Sequence, residues 1–194
     1  MASDQEFEEG VAYLIELATK EARRLKHKDV NTEHLLLALT SDEAMPASQL
    51  LKDLGVDYSK IRPAVEFIVG QGKKDIEPSG LNRHARRAYA LARDEYEITQ
   101  DLPLDMSVYL LMGLLREGEG PASGLMESLG VTYDKTRARS ARYPPVPIGD
   151  YKFPTYLRDM QVVYNGLDQV KKTEMIARTL DVLGEFRSRV PQQE

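Results

Sequence analysis

The chain has 194 residues, of which 42% are hydrophobic and 29% are charged, a composition typical of a folded globular protein. It contains no cysteine, which excludes disulfides, cysteine-ligated zinc, iron–sulfur clusters and thiol catalysis. A net charge of -5, no tryptophan and only 7% aromatic residues offer neither a general attraction for phosphate backbones nor a stacking platform for bases, so we expect no nucleic-acid partner.

The start of the chain does not resemble a targeting segment. Asp4, Glu6, Glu8 and Glu9 lie within the first ten residues, where a signal peptide or an arginine-rich transit peptide would not carry acidic side chains. No apolar run approaches the length of a membrane span. We therefore expect a soluble protein that is not exported and has no membrane partner.

The first third of the chain is patterned for helices. The stretch from Thr32 to Leu39 places three leucines on one helical face. Pro46 is favourable in the first turn of a further helix, and Gly55 can adopt the left-handed backbone conformation that ends it. Asp57 then offers a side-chain oxygen to cap the next helix. Before these elements, the apolar residues recur at helical spacing: Val11, Leu14, Ile15, Ala18, Ala22 and Leu25. We predict four helices, and strand alternation is absent.

The same pattern occurs twice. Pro46-Ala47-Ser48 recurs 75 residues later as Pro121-Ala122-Ser123, and Leu54-Gly55-Val56 recurs at the same offset as Leu129-Gly130-Val131. We interpret this as a tandem duplication. The sequence therefore predicts an all-α fold of two four-helix repeats, about residues 5–70 and 81–142, joined by a glycine- and proline-containing linker at 71–80. We expect the two repeats to pack on each other through the helix faces that each leaves uncovered.

The pattern changes after the second repeat. Tyr143-Pro144-Pro145-Val146-Pro147 predicts an extended connector, and an apolar stripe from Met175 to Phe186 predicts an amphipathic helix over about residues 167–189. The extension 143–194 has no counterpart in either repeat. Two arrangements of this helix stay open: it folds back over the repeats, which we favour, or it docks in a groove on another protein.

Three motif strings make the duplicated unit resemble the Clp N-terminal domain family, the paired-repeat module of ClpA- and ClpC-type chaperones. The strings are Glu21-Ala22-Arg23-Arg24-Leu25 before His27, Asn31-Thr32-Glu33-His34-Leu35-Leu36-Leu37-Ala38-Leu39, and Leu114-Leu115-Arg116-Glu117-Gly118-Glu119-Gly120 before Leu129-Gly130-Val131. The resemblance covers about residues 7–142 and implies an eight-helix, pseudo-twofold domain. The family's ATPase motif is missing: Gly70-Gln71-Gly72-Lys73-Lys74 is the nearest string and lacks both the spacing and the hydroxyl of a phosphate-binding loop.

The resemblance without the ATPase motif implies a free-standing, non-enzymatic protein-binding module that uses no cofactor. Such a protein would be an accessory or adaptor-like factor of the Clp chaperone–protease system, binding a Clp chaperone, an adaptor or a substrate protein. Relatives of this kind occur in bacteria and plastids, so we expect a cytoplasmic location in a bacterium, with the plastid stroma as the alternative. A second hypothesis is a receptor or decoy for small ligands or for peptides modified like phosphoarginine.

The resemblance also implies candidate ligand-binding residues. In chaperone members a glutamate of each repeat binds the guanidinium of phosphorylated arginine, and a threonine contacts the phosphate. Glu33 retains the first glutamate, whose carboxylate can form two parallel hydrogen bonds with a guanidinium, whereas Val108 replaces the second. Glu8 and Asn82 stand at the two threonine positions. The alternative for Glu33, which we favour, is a carboxylate placed at a helix start by the helix dipole.

The remaining polar residues indicate no metal site and no catalytic residue. No two of the three histidines have the spacing of a helical metal pair, and we expect His34 to be a buried or capping residue. Arg83, Arg86, Arg87 and Arg93 form a basic stripe, which is either an exposed helix face or a contact for an acidic partner.

Overall fold

The computed structural model describes residues 2–98 and 104–140. The chain divides into two units, Met1–Tyr151 and Lys152–Glu194, and every described residue belongs to the first. The connector predicted at 143–147 and the helix predicted at about 167–189 lie outside the described residues.

The described residues form eight helices, and the only β-pairing among them is an isolated parallel bridge between Val30 and Leu81. The all-α prediction is confirmed, with four helices in each copy. The first repeat contains α1 (Ala2–Arg24), α2 (Thr32–Ser41), α3 (Pro46–Asp53) and α4 (Tyr58–Val69). The second repeat contains α5 (Arg83–Ile98), α6 (Met106–Glu117), α7 (Pro121–Ser128) and α8 (Tyr133–Ser140). Within this described part, no helix is both long and apolar enough for a membrane span.

The residues that predicted helix boundaries lie at those boundaries. Pro46 and Pro121 begin α3 and α7, where a missing backbone N–H costs nothing. Gly55 and Gly130 follow these helices with φ of 84° and 74°, a conformation that a side chain would strain. The Asp57 carboxylate accepts a hydrogen bond from the Lys60 backbone N–H at 3.1 Å and so caps α4.

The two central helices are α2 and α6, which contact each other and are buried on nearly every side. A helix that is apolar around most of its circumference is stable only inside a fold, and the leucine-rich sequences of α2 and α6 meet this condition. The outer helix α5 packs closely on α6. A Cβ atom at Gly113 would lie 2.3 Å from the carbonyl oxygen of Ala88, so only glycine allows this approach.

The repeats pack on each other as predicted, through contacts of α2 with α6 and α7 and of α3 with α6. Two hydrogen bonds at equivalent positions join them. The Ala47 backbone N–H donates to Ser107 Oγ at 3.1 Å, and the Ala122 backbone N–H donates to Thr32 Oγ1 at 3.4 Å. The third helix of each repeat is thus bonded to the central helix of the other repeat. The two bonds occupy equivalent positions of the duplicated sequence.

The linker between the repeats runs along the loop that joins α1 to α2. The Gly72 backbone N–H donates to the Leu25 carbonyl at 2.9 Å, the Ser79 N–H to the Lys28 carbonyl at 2.8 Å, and the Asn82 N–H to the Val30 carbonyl at 2.8 Å. These bonds hold both ends of the linker to the loop. Between them the linker makes ion pairs, from Asp75 to Lys26 at 3.0 Å and from Glu77 to Arg23 at 2.7 Å.

Candidate functional site

An open groove with a volume of about 520 Å³ lies between the α1–α2 loop and the linker. We call it the linker groove. Its position follows from the backbone bonds just described, which join the two segments at the ends of the linker and not along its middle. The lining residues are Lys26, His27, Lys28, Asp29, Asn31, Glu33, His34, Gly72, Lys73, Lys74, Ile76 and Asn82.

Glu33 is the buried acid of the linker groove. It lies in the first turn of α2, and only 3% of the residue is exposed. Burial raises the pKa of Glu33, opposed by hydrogen bonds from its own backbone N–H and from Asn31 and by the charge of nearby His84. Its Oε2 atom has no hydrogen-bond partner among the described residues. An unsatisfied buried oxygen is uncommon, and it marks Glu33 as a group that a ligand could satisfy.

His34 and His27 form a hydrogen-bonded pair beside Glu33. The Asn31 backbone N–H donates to His34 Nδ1 at 2.9 Å, which places the proton of this imidazole on Nε2. Nε2 lies 2.9 Å from His27 Nδ1, so His34 donates and His27 accepts. Burial, together with the positive charges that His27 and Arg24 can carry, lowers the pKa of His34 to about 3. His34 is fully buried and completes the capping box of α2, which confirms the prediction that it is a buried or capping residue.

A second polar cluster lies where α5, α6 and α7 meet. His84 Nδ1 is 2.7 Å from Glu117 Oε1, and the backbone N–H groups of Gly120 and Glu119 donate to Glu117 Oε2 at 2.7 Å and 3.2 Å. Burial opposes the charge of Glu117, but these hydrogen bonds outweigh it and lower its pKa. Glu117 therefore holds the backbone of the loop between α6 and α7 through these bonds.

Within residues 2–98 and 104–140, two side-chain groups place enough ligand atoms together for a cation. His27, Glu33 and His34 form one group, and His84, Glu117 and Glu119 form the other. In both groups the histidine nitrogens or carboxylate oxygens already take part in hydrogen bonds, which a cation would have to displace. The geometry thus fits hydrogen-bonded structural clusters better than metal centres, and the absence of a metal site stays a prediction.

The four residues implied as ligand contacts separate into two pairs. Glu33 and Asn82 line the linker groove together, and the Asn82 side chain also caps α5 by accepting from the Ala85 N–H at 2.9 Å. Glu8 is exposed on α1 beside Tyr89, whose pKa is raised by burial and by this carboxylate, and Val108 is fully buried in α6. Neither Glu8 nor Val108 lines the groove. Ligand binding by these four residues stays a prediction.

Sequence reasoning missed Lys73 and Lys74 as members of the site. In the sequence they stand out only in Gly70-Gln71-Gly72-Lys73-Lys74, which does not match a phosphate-binding loop. Both nevertheless line the groove. It also missed His27. This residue contacts His34 across a loop, and a contact formed by a loop leaves no periodic pattern in the sequence. A run of two lysines between glycine-rich and proline-containing segments was the available indication.

The chain is similar to known proteins in sequence and in structure. A family model described as "Clp repeat (R) N-terminal domain" matches residues 6–104. The chaperone protein ClpB of Oceanobacillus iheyensis is 34% identical over 131 residues, which are 68% of this chain and 16% of that protein. The chloroplastic chaperone protein ClpC1 of rice is 35% identical over 139 residues, 71% of this chain and 15% of that protein. The chain thus spans about one sixth of the length of these relatives.

Among solved structures, the N-domain of ClpV from Vibrio cholerae superimposes with a TM-score of 0.54 at 16% identity, covering 66% of this chain and 79% of that one. At this identity the likeness supports the shared fold alone. It agrees with the eight-helix arrangement of the described residues.

Proposed function

This chain belongs to the Clp repeat N-terminal domain family, and from that premise we propose that it is a non-enzymatic protein-binding module. In this proposal it is an accessory or adaptor-like factor of the Clp chaperone–protease system that binds a Clp chaperone, an adaptor or a substrate protein. The observation that carries the proposal is the pair of Clp-type repeats with an open groove over the partly unsatisfied carboxylate of Glu33.

The lining of the linker groove supports binding rather than catalysis. Its lining residues include no hydroxyl or thiol nucleophile, and both nitrogens of His34 are occupied by hydrogen bonds. A general base needs a free nitrogen or oxygen, so His34 cannot act as one in this arrangement. The groove supplies charge and hydrogen-bonding groups, which are what a recognition surface needs.

An exposed apolar pair on α4 offers a second surface for protein contact. Phe67 is 91% exposed and its neighbour Ile68 is 54% exposed. Adjacent exposed apolar side chains of this size are unfavourable in water, and protein-binding surfaces use them. The pair lets an experiment distinguish contacts through the groove from contacts through α4.

The proposal is tested by affinity capture with the full 194-residue chain immobilised in a lysate of its source cells, followed by mass spectrometry and calorimetry with each purified captured protein. We expect a Clp chaperone subunit, a Clp adaptor or a client of the system to be enriched and then to bind directly. The Phe67→Ser variant changes the α4 surface and leaves the groove unchanged, so a partner that it still captures does not depend on Phe67. Recovery of no Clp subunit, adaptor or client contradicts the proposal.

The second candidate function is a receptor or decoy for phosphoarginine-type peptides. Buried Glu33 favours it: Oε2 has no partner in the described part of the chain, and Asn82 and several lysines line the same groove. A carboxylate can pair with a guanidinium, and ammonium groups can pair with a phosphate. The equivalent position of the other repeat holds Val108 and so offers no carboxylate. Calorimetry with phosphoarginine tests this function: we expect heat that is lost in Glu33→Gln, and heat of dilution alone contradicts it.

The relatives named above come from a bacterium and from a chloroplast. We propose the bacterial cytoplasm as the location of this protein, with the plastid stroma as the second candidate. Fractionation of source cells tests this, and recovery outside both compartments contradicts it.

A further inference from the structure

We propose that the linker groove binds an acidic segment of the partner polypeptide, with carboxylates against the groove lysines and one apolar side chain against Ile76. The inference rests on the proposed function, because it specifies the chemistry of the protein partner. It differs from the phosphoarginine hypothesis in the ligand's chemistry, because the ligand carries carboxylates and an apolar side chain and no guanidinium.

The lysines of the linker groove exceed its acids. Four lysines line the groove, and Lys26 is neutralised by Asp75 at 3.0 Å. Lys28, Lys73 and Lys74 have no ion pair within residues 2–98 and 104–140. The acidic lining residues are Asp29, which accepts a hydrogen bond from the Ser79 hydroxyl, and the buried Glu33. Three lysines are therefore available to a ligand.

The positive surface continues from Asn82 onto the start of α5. Arg83 and Arg86 are exposed in its first turns, and no ion pair of either is found in the described part of the chain. The first turn of α5 contains no acidic residue. Cations at a helix N-terminus oppose the helix dipole, so this arrangement is unfavourable on its own. Bound carboxylates would neutralise the arginines and also interact favourably with the dipole.

This local charge is opposite to that of the chain, which carries -5 overall. Opposite charges across an interface speed association and select partners. An anionic ligand is therefore attracted to the groove region and repelled by much of the remaining surface. This contrast favours the groove as the place where an acidic segment binds.

The other groups of the groove favour a peptide over a nucleic acid. Ile76 is 41% exposed and can contact an aliphatic or aromatic side chain. The lining holds no phenylalanine, tyrosine or tryptophan on which bases could stack. In addition, the backbone N–H groups of residues 73–77 donate to no other described residue, so they are free for peptide carboxylates or carbonyls.

Fluorescence anisotropy with the full chain tests the proposal. The probe is a fluorescein-labelled peptide of about ten residues, with glutamates on both sides of one leucine. We expect saturable binding that weakens as salt rises, because the attraction is between opposite charges. The double variant Lys73→Glu/Lys74→Glu should raise Kd by at least about tenfold. The charge-matched control Lys52→Glu/Lys60→Glu changes two lysines outside the groove and should leave Kd within about twofold.

Three results would overturn the proposal: no binding of the acidic peptide, equal losses in the two double variants, or tighter binding of an oligouridylate of matched charge. Thermal melts followed by circular dichroism confirm that both variants fold. Failure of this inference is separable from failure of the proposed function. If a Clp-system protein captured by the chain binds Lys73→Glu/Lys74→Glu as tightly as the unchanged chain, the function stands and the partner uses another surface.

Discussion

At the scale of single residues, Gly120 sets the distance between the repeats at the start of α7. Its φ of -79° is open to any residue, but a Cβ atom there would lie 2.3 Å from Thr32 Oγ1 and 3.0 Å from Glu117 Oε2. The constraint is therefore steric, and it acts across the interface. We expect Gly120→Ala to lower the free energy of unfolding by about 1–3 kcal/mol, measured by urea denaturation.

The matched control is Gly124, which lies four residues later, inside α7. A Cβ atom at Gly124 would meet no atom within 4 Å. Gly124→Ala should therefore raise the free energy of unfolding by about 0.5–1 kcal/mol, since alanine restricts the unfolded chain. If the two substitutions change stability in the same direction, the steric account of Gly120 is wrong.

His34 makes stability depend on pH. Its pKa is about 3 in the folded chain against an ordinary value of 6.5, so unfolding takes up a proton between these values. The stability that neutral His34 contributes is present above pH 6.5 and is lost as the pH falls. We expect the free energy of unfolding to drop by about 2 kcal/mol between pH 7 and pH 5 through this group.

Two measurements check the role of His34. Urea denaturation at both pH values should show a smaller drop for His34→Asn than for the unchanged chain, because asparagine does not titrate. NMR of the unchanged folded chain should show a His34 imidazole that stays neutral at pH 5. A His34 titration midpoint near the ordinary value would contradict the account.

At the scale of helices, each repeat uses a glutamate of its first helix to hold its fourth helix. Glu95 is buried in α5 and accepts hydrogen bonds from Arg116 at 2.8 Å, Tyr133 at 2.9 Å and Arg137 at 2.8 Å. The equivalent Glu21 of α1 accepts from Tyr58 at 3.3 Å and from Arg24 at 2.8 Å. The stability of the second repeat therefore depends more on Glu95 than that of the first repeat depends on Glu21.

Substituting both glutamates in turn tests this difference. Glu95→Gln should lower the free energy of unfolding by about 2 kcal/mol, since it weakens two charged hydrogen bonds to partly exposed arginines. Glu21→Gln should cost about 1 kcal/mol by the same measurement. Equal losses of free energy in the two variants would show that the additional hydrogen bonds of Glu95 do not add to stability.

The helix boundaries could be predicted because the residues that set them act on their immediate neighbours in sequence. Pro46 and Gly55 act within one turn of the chain, and the internal repeat doubled the evidence for each boundary. Contacts between helices carry no such signal. Nothing in sequence indicated that His84 would meet Glu117, 33 residues away, or that the linker would be bonded to the α1–α2 loop.

The candidate site was accessible from sequence only in part. Glu33 and Asn82 were identified through family motifs, and the structure brings both to one groove. Lys73 and Lys74 were not identified, because their importance depends on where the linker runs in three dimensions. A residue that belongs to a surface formed by two distant segments cannot be recognised before those segments are placed together.

At the scale of the whole molecule, the exchanged hydrogen bonds join the repeats into one body. Ser107 is fully buried, and its hydroxyl accepts from the Ala47 N–H. We expect Ser107→Ala to lower the free energy of unfolding by about 1–2 kcal/mol, because the Ala47 N–H loses its acceptor in a buried place. Ser59→Ala, at an exposed serine of α4, should change it by less than about 0.5 kcal/mol. If Ser107→Ala leaves the free energy of unfolding unchanged, the hydrogen bond from the Ala47 N–H does not stabilise the contact between the repeats.

The measurement that tests the central claim most directly is an amide NMR titration of the full chain with the purified Clp-system protein or client segment that it captures. If the paired repeats recognise a polypeptide through the linker groove, signals of residues 26–33 and 72–82 shift together and saturate, while those around Lys52 stay in place. Shifts confined to other surfaces, or no shifts at all, would contradict the account.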